Sequence, residues 1–136
     1  MYSAHGHYEI SVENKILFIE AYGPWNLEAA EEFDRIVREQ VTVHLTGSPW
    51  AMIARLHGQG IYTPDSIPLL QELHMWRIAS GLTHIAIIHE NREDAGTGIT
   101  EKQFNTIYKA DPDRLCEERY FKDLDDAKTW LRSVGY

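Results

Sequence analysis

The chain has 136 residues, 43% of them hydrophobic and 25% charged, which suits one globular domain and leaves no segment that reads as disordered. Its net charge is −8, from 21 acidic against 13 basic side chains. Arg35, Arg38, Arg55, Arg77 and Arg92 are scattered, so neither a nucleic-acid face nor a surface for anionic lipid is expected. Cys116 is the only cysteine, which excludes an intramolecular disulfide and a thiolate metal cage. Residues 1–9 lack the pattern of a signal peptide, and no run of about eighteen apolar residues occurs, so a cytoplasmic location is expected by elimination.

Residues 7–12 (HYEISV) alternate, and residues 15–22 (KILFIEAY) form a denser apolar run. With Glu13 and Asn14 as a polar turn between them, they predict a hairpin that Gly23-Pro24 ends. Asn26 then suits a helix N-cap. Leu27, Ala30, Phe33, Ile36, Val37 and Val41 recur at helical spacing, with Glu28, Glu31, Glu32 and Asp34 in the half where the dipole favours acids. The β-branched run Val41-Thr42-Val43 weakens that pattern.

Residues 50–56 (WAMIARL) predict a strand buried on both faces. In the second helix, a cap at Thr63 would place Pro68 where a backbone hydrogen bond is lost, so Asp65 or Ser66 is the expected cap. That helix runs through Leu70, Leu73, Met75 and Ile78 to a stop at Gly81. Residues 84–89 (HIAIIH) give the strongest buried-strand signal, followed by a polar loop over 90–98. Thr100 is the expected cap of a short helix over 101–108, residues 115–121 alternate as a last strand, and Asp123 caps a final helix carrying Leu124, Ala127, Trp130 and Leu131.

The order β-β-α-β-α-β-α-β-α implies a single layered α/β domain over residues 1–136, with a five-stranded mixed, mostly parallel sheet and about four helices. Three stretches carry a resemblance: Tyr22-Gly23-Pro24-Trp25, the strand over 84–89, and the ending RYFKDLDDAKTWL over 119–131. In these and in topology the chain resembles the SpoIIAA-like family of the STAS-like fold. Regulatory members of that group are phosphorylated on a serine at the start of the second helix, and the resemblance implies Ser66 as the corresponding phosphoacceptor. Around it, Pro64, Ile67 and Pro68 stand where those proteins carry small residues.

Catalytic machinery is not evident. There is no G-x-S-x-G, no P-loop and no complete dinucleotide fingerprint, and Cys116 reads as a small core residue within the last strand. Glu9 and Glu20 lie on the two hairpin strands and could face each other, as surface carboxylates also do. His84 and His89 fall on opposite faces of one strand and no histidine pair has zinc-enzyme spacing, so no metal and no cofactor are expected. The leading expectation is a non-enzymatic regulatory or scaffold module that binds a protein through the second helix and its preceding loop, with Tyr62, Asp65 and Ser66 at the contact. The alternative is a carrier of a small apolar ligand or lipid, in a pocket between helices and sheet lined by Trp25, Ile61 and Trp76. Trp25, Trp50, Trp76, Tyr62 and Tyr22 are all expected near one end of the sheet, beyond the strands' carboxyl ends. The exposed hairpin edge leaves a homodimer open.

Overall fold

The opening alternation forms a hairpin of β1 (His7–Glu13) and β2 (Ile16–Tyr22), and strands and helices then take turns: α1 (Leu27–His44), β3 (Trp50–His57), α2 (Ile67–Ala79), β4 (Leu82–His89), α3 (Thr97–Tyr108), β5 (Glu117–Phe121) and α4 (Leu124–Ser133). The computed structural model describes residues 6–57, 62–90 and 97–136. The sheet order is β1-β2-β3-β4-β5, with β1 antiparallel to β2 and every later pair parallel. Because the order never reverses and crossovers share one hand, the three connecting helices must fall on one face. Residues of α1, α2 and α3 accordingly share one core with Leu17, Ile19, Met52, Ile85 and Ile87. Only α4 covers the other face, packing Ala127, Trp130 and Leu131 on Ile53, Ala86 and Ile88.

Several boundaries differ from expectation. Glu13 pairs with Ile16, so the hairpin loop is Asn14-Lys15, one residue later than the Glu13-Asn14 turn, and Asn14 takes φ 56°, which asparagine tolerates well. Helix α1 runs through the β-branched residues to His44 because Val37, Val41 and Leu45 are fully buried, and burial outweighs propensity differences of about 0.5 kcal/mol per residue. Asn26 caps it, accepting from Ala29 N at 3.0 Å. Strand β4 starts two residues early, at Leu82, just after Gly81, whose φ of 114° turns the chain. A Cβ there would stand 2.8 Å from Ser48 O and 3.1 Å from the Trp50 indole. Helix α3 begins at Thr97, ahead of the expected Thr100 cap.

Strand β5 is shorter than expected, because the buried Asp111 carboxylate accepts from Leu115 N at 3.1 Å and Cys116 N at 2.9 Å, holding both out of the ladder. Cys116 therefore precedes the strand and is buried beneath that turn. Burial pushes its thiol up to about 12. No helix among the described residues is long and apolar enough to cross a membrane.

Candidate functional site

The approach to α2 is tied down by its neighbours. Tyr62 forms an isolated parallel bridge with Trp25, and Thr63 N donates to Trp25 O at 3.0 Å. Both backbone groups of Tyr62 are taken by the Gln103 amide: Tyr62 N donates to Oε1 at 2.8 Å, and Nε2 donates to Tyr62 O at 2.7 Å. The Tyr62 ring stacks on Trp25 at 4.7 Å and Trp25 stacks on Tyr8 at 5.6 Å, so Tyr62 and Trp25 are interior residues, 5% and 1% exposed. Burial pushes the Tyr62 phenol up to about 12.

Pro64–Ser66 make one turn of 3₁₀ helix, and Ser66 occupies the N-cap position of α2, with Pro68 in the first turn as its missing N–H requires. Ser66 is one of the two expected caps, yet its side chain does not cap. The hydroxyl pairs with Thr63 Oγ1 at 2.9 Å and the residue is wholly buried. A partner or kinase cannot reach either Tyr62 or Ser66 in this arrangement. Of the three residues expected at a partner contact, only Asp65 is exposed.

Among the described residues, Trp25 and Trp76 of the expected pocket do not line one cavity. Trp25 stands beyond the carboxyl end of β2. Trp76 lies near the far end of α2, half-buried, with the Arg38 guanidinium 5.0 Å above its ring. Trp50 opens β3 at the amino end of the sheet, where its Nε1 donates to Ser80 O at 3.0 Å. These tryptophans therefore do not share one end of the sheet. Ile61 and most of its loop lie outside the described residues. Between helices and sheet there is a cavity of about 40 Å³ that Trp25 and Trp76 do not line, and it admits only a few atoms.

Helix α2 is apolar on two sides. Leu70, Leu73, His74 and Arg77 face the interior, and burial with the nearby Arg77 charge drives the His74 imidazole down to about 4. The outward side presents Pro68, Leu69, Glu72, Met75 and Trp76, with Met75 37% exposed and Leu69 and Trp76 half-buried against the core, along a shallow groove of about 890 Å³ that Arg38, Gln71 and Ala110 complete. This stripe falls at helical spacing in the sequence, but the inner stripe alone would have explained the pattern.

On the opposite face, where α4 packs with Ile16 and Phe18 as well as with β3 and β4, a polar cluster occupies the carboxyl ends of β2 and β3. Glu9 and Glu20 are paired across the hairpin, as their positions in the sequence allowed. Glu20 is also the neighbour of Arg55 in register; Arg55 Nη1 lies 3.5 Å from its Oε1, and Arg55 Nε donates to Glu90. His57 Nε2 stands 3.2 Å from Glu20 Oε2, and the Tyr22 hydroxyl donates to that same oxygen at 3.1 Å. The Tyr22 and His57 rings stack at 4.5 Å, and the Glu20 hydrogen bond raises the phenol's pKa. Sequence reasoning did not join these residues, because parallel register between β2 and β3 is invisible in one chain's periodicity. The cluster sets the carboxylates of Glu9, Glu20 and Glu90 against the single guanidinium of Arg55, and among the described residues no group of three or more His, Cys, Asp or Glu is set to hold a metal.

Compared with solved structures, the chain superimposes on an uncharacterised protein of the DUF3478 family from Shewanella loihica PV-4, which has a SpoIIAA-like fold. The match has a TM-score of 0.60 at 16% identity and covers 96% of this chain and 97% of that one. The fold is SpoIIAA-like. No family model and no curated protein matches the sequence.

In this fold Ser66 stands at the N-cap position of the second helix. Its hydroxyl, however, is turned inward to Thr63, and Ile67 and Pro68 follow it into the helix. Of the second helix and its preceding loop, Thr63, Pro64, Asp65 and the outward side of α2 lie at the surface.

Proposed function

We propose that this chain is a non-enzymatic regulatory or scaffold module that binds a protein partner through the outer side of its second helix. The observation that carries the reading is the partly exposed row of Pro68, Leu69, Met75 and Trp76, with Glu72 among them, on a helix whose other side already fills the core. A surface helix normally buries one apolar stripe and shows a polar one to water, so a second apolar stripe leaves surface that association would cover. Trp76 and Met75 are residue types that anchor protein interfaces, and Arg38 over the Trp76 ring supplies a cationic rim. The partner offers a complementary apolar segment, and contact moves from the buried Tyr62 and Ser66 to this stripe. A cytoplasmic setting fits the composition and belongs to the same proposal.

The test compares wild type with Leu69→Glu and Met75→Glu in pull-downs from the host's lysate, with circular dichroism to confirm folding. A protein held by wild type and lost from both folded variants supports the reading. The same set of proteins on all three overturns it.

A further inference from the structure

The end of α4 and the start of β2 border a half-open hollow of about 450 Å³. Lys128 and Arg132 stand one turn apart on α4, and Lys15 stands in the β1–β2 turn, so three cations meet on its lining. Arg132 Nε donates to Lys128 O at 3.3 Å, and Lys128 Nζ lies 5.8 Å from the centre of the Phe18 ring. Among the described residues none of the three has a carboxylate within ion-pair distance, whereas Arg35, Arg38, Arg55, Arg114 and Arg119 each have one. Glu13 is the one acidic side chain on the lining. A chain of net charge −8 thus keeps a local excess of positive charge at this place.

The ending of α4 supplies an aromatic part of the same lining. Gly135 N donates to Arg132 O at 3.2 Å and Tyr136 N to Leu131 O at 2.8 Å, with Gly135 at φ 108°. This is the Schellman arrangement, which turns a chain back along its helix. The turn lays Tyr136 against the sheet, where its hydroxyl pairs with Thr83 Oγ1 and its ring meets His84 edge-on at 5.9 Å. Ile16, Phe18 and Tyr136 are half-buried against the core under α4, so the hollow joins apolar walls to cations. Its volume falls in the range of small-ligand sites. A bare ion would leave the rings in water, and a neutral apolar molecule would leave the cations unused. The matching ligand carries both an anionic group and an apolar body.

We propose that this hollow binds a small carboxylate carried on a flat apolar body of one or two rings, with the carboxylate on Lys15, Lys128 and Arg132 and the rings on Phe18 and Tyr136. The site lies on the α4 face of the sheet and is independent of the outer side of α2.

The experiment titrates the isotope-labelled protein with 2-naphthoate and follows backbone amide shifts, with 2-naphthylmethanol as the neutral match and acetate as the carboxylate without rings. The expected result is a saturable shift with 2-naphthoate at residues 13–18 and 128–136, and much weaker binding of the other two. Lys15 and Arg132 are exposed, so Lys15→Gln with Arg132→Gln spares the core. Exposed ion pairs are individually modest, and the double variant should bind 2-naphthoate about tenfold more weakly. Equal affinity for 2-naphthoate and 2-naphthylmethanol overturns the proposal, as does equal affinity for acetate. Shifts that fall elsewhere in the sheet, or 2-naphthoate binding unchanged in the folded double variant, overturn it too.

Discussion

Gln103 of α3 holds Tyr62 by both halves of its amide, accepting from the backbone N at 2.8 Å and donating to the backbone O at 2.7 Å. The two bonds replace a strand neighbour for a residue that pairs with Trp25 on its other side. Gln103→Ala leaves two main-chain groups unpaired in a partly buried place, and we expect a loss of about 1–3 kcal/mol in urea unfolding. Gln103→Glu keeps the acceptor and lacks the donor, so it should fall between. Equal stability of all three would show that water replaces the amide freely.

Ser66 separates the structural role of this turn from a regulatory one. Its hydroxyl is buried against Thr63, so Ser66→Ala is expected to cost about 1 kcal/mol. Ser66→Asp puts a carboxylate into the same space without a cation, and a loss of about 3–5 kcal/mol is expected, enough to threaten folding. The neighbouring Asp65 is exposed, and Asp65→Ala should change stability by less than about 0.5 kcal/mol. Denaturant curves on the three variants check the order. A Ser66→Asp protein as stable as wild type would mean that the turn opens readily, and phosphorylation there would regain a physical basis.

His74 makes stability depend on pH. Its ring is buried with neither nitrogen hydrogen-bonded, and its pKa falls from the usual 6.5 to about 4. Below pH 6.5 the unfolded chain takes up a proton that the folded chain refuses, so stability is full above that pH and declines as pH falls toward 4. The loss at pH 5 is about 2 kcal/mol relative to pH 7.5. His74→Leu, which keeps the volume and removes the titration, should flatten that part of the profile. Urea midpoints across pH 5 to 7.5 measure it; parallel profiles for variant and wild type would assign the dependence to other groups.

Local signals made the scaffold readable. The stripe from Leu27 to Val41, the apolar run at residues 84–89 and the Asp123 cap, which accepts from Asp126 N at 2.9 Å, each sit where single-chain patterning puts them. What escaped was set by partners distant in sequence. Tyr62 and Trp25 look like edge aromatics until a bridge 37 residues apart in number draws them into the core. Arg77 looks like one surface charge on an amphipathic helix, yet α2 turns it inward toward Met52. The cluster of Glu20, Arg55, His57 and Glu90 depends on inter-strand register, which periodicity cannot supply.

Asp111 shows the same dependence at the far edge of the sheet. In the sequence Asp111-Pro112-Asp113 is a helix breaker; in the fold the Asp111 carboxylate is 2% exposed and accepts from Leu115 N and Cys116 N. Between them the chain passes through Arg114 at φ 52°, a conformation that a non-glycine residue holds only when its surroundings fix it. Removing both acceptors in Asp111→Ala strands two amides, and a loss of about 3 kcal/mol is expected. Asp111→Asn keeps one oxygen at nearly the same place and should cost roughly half of that. Because the turn decides where β5 begins, hydrogen exchange at residues 115–118 should quicken more in the alanine variant than at residues 85–88 of β4. Uniform quickening across both strands would mean that Asp111 contributes to global stability without positioning the edge strand.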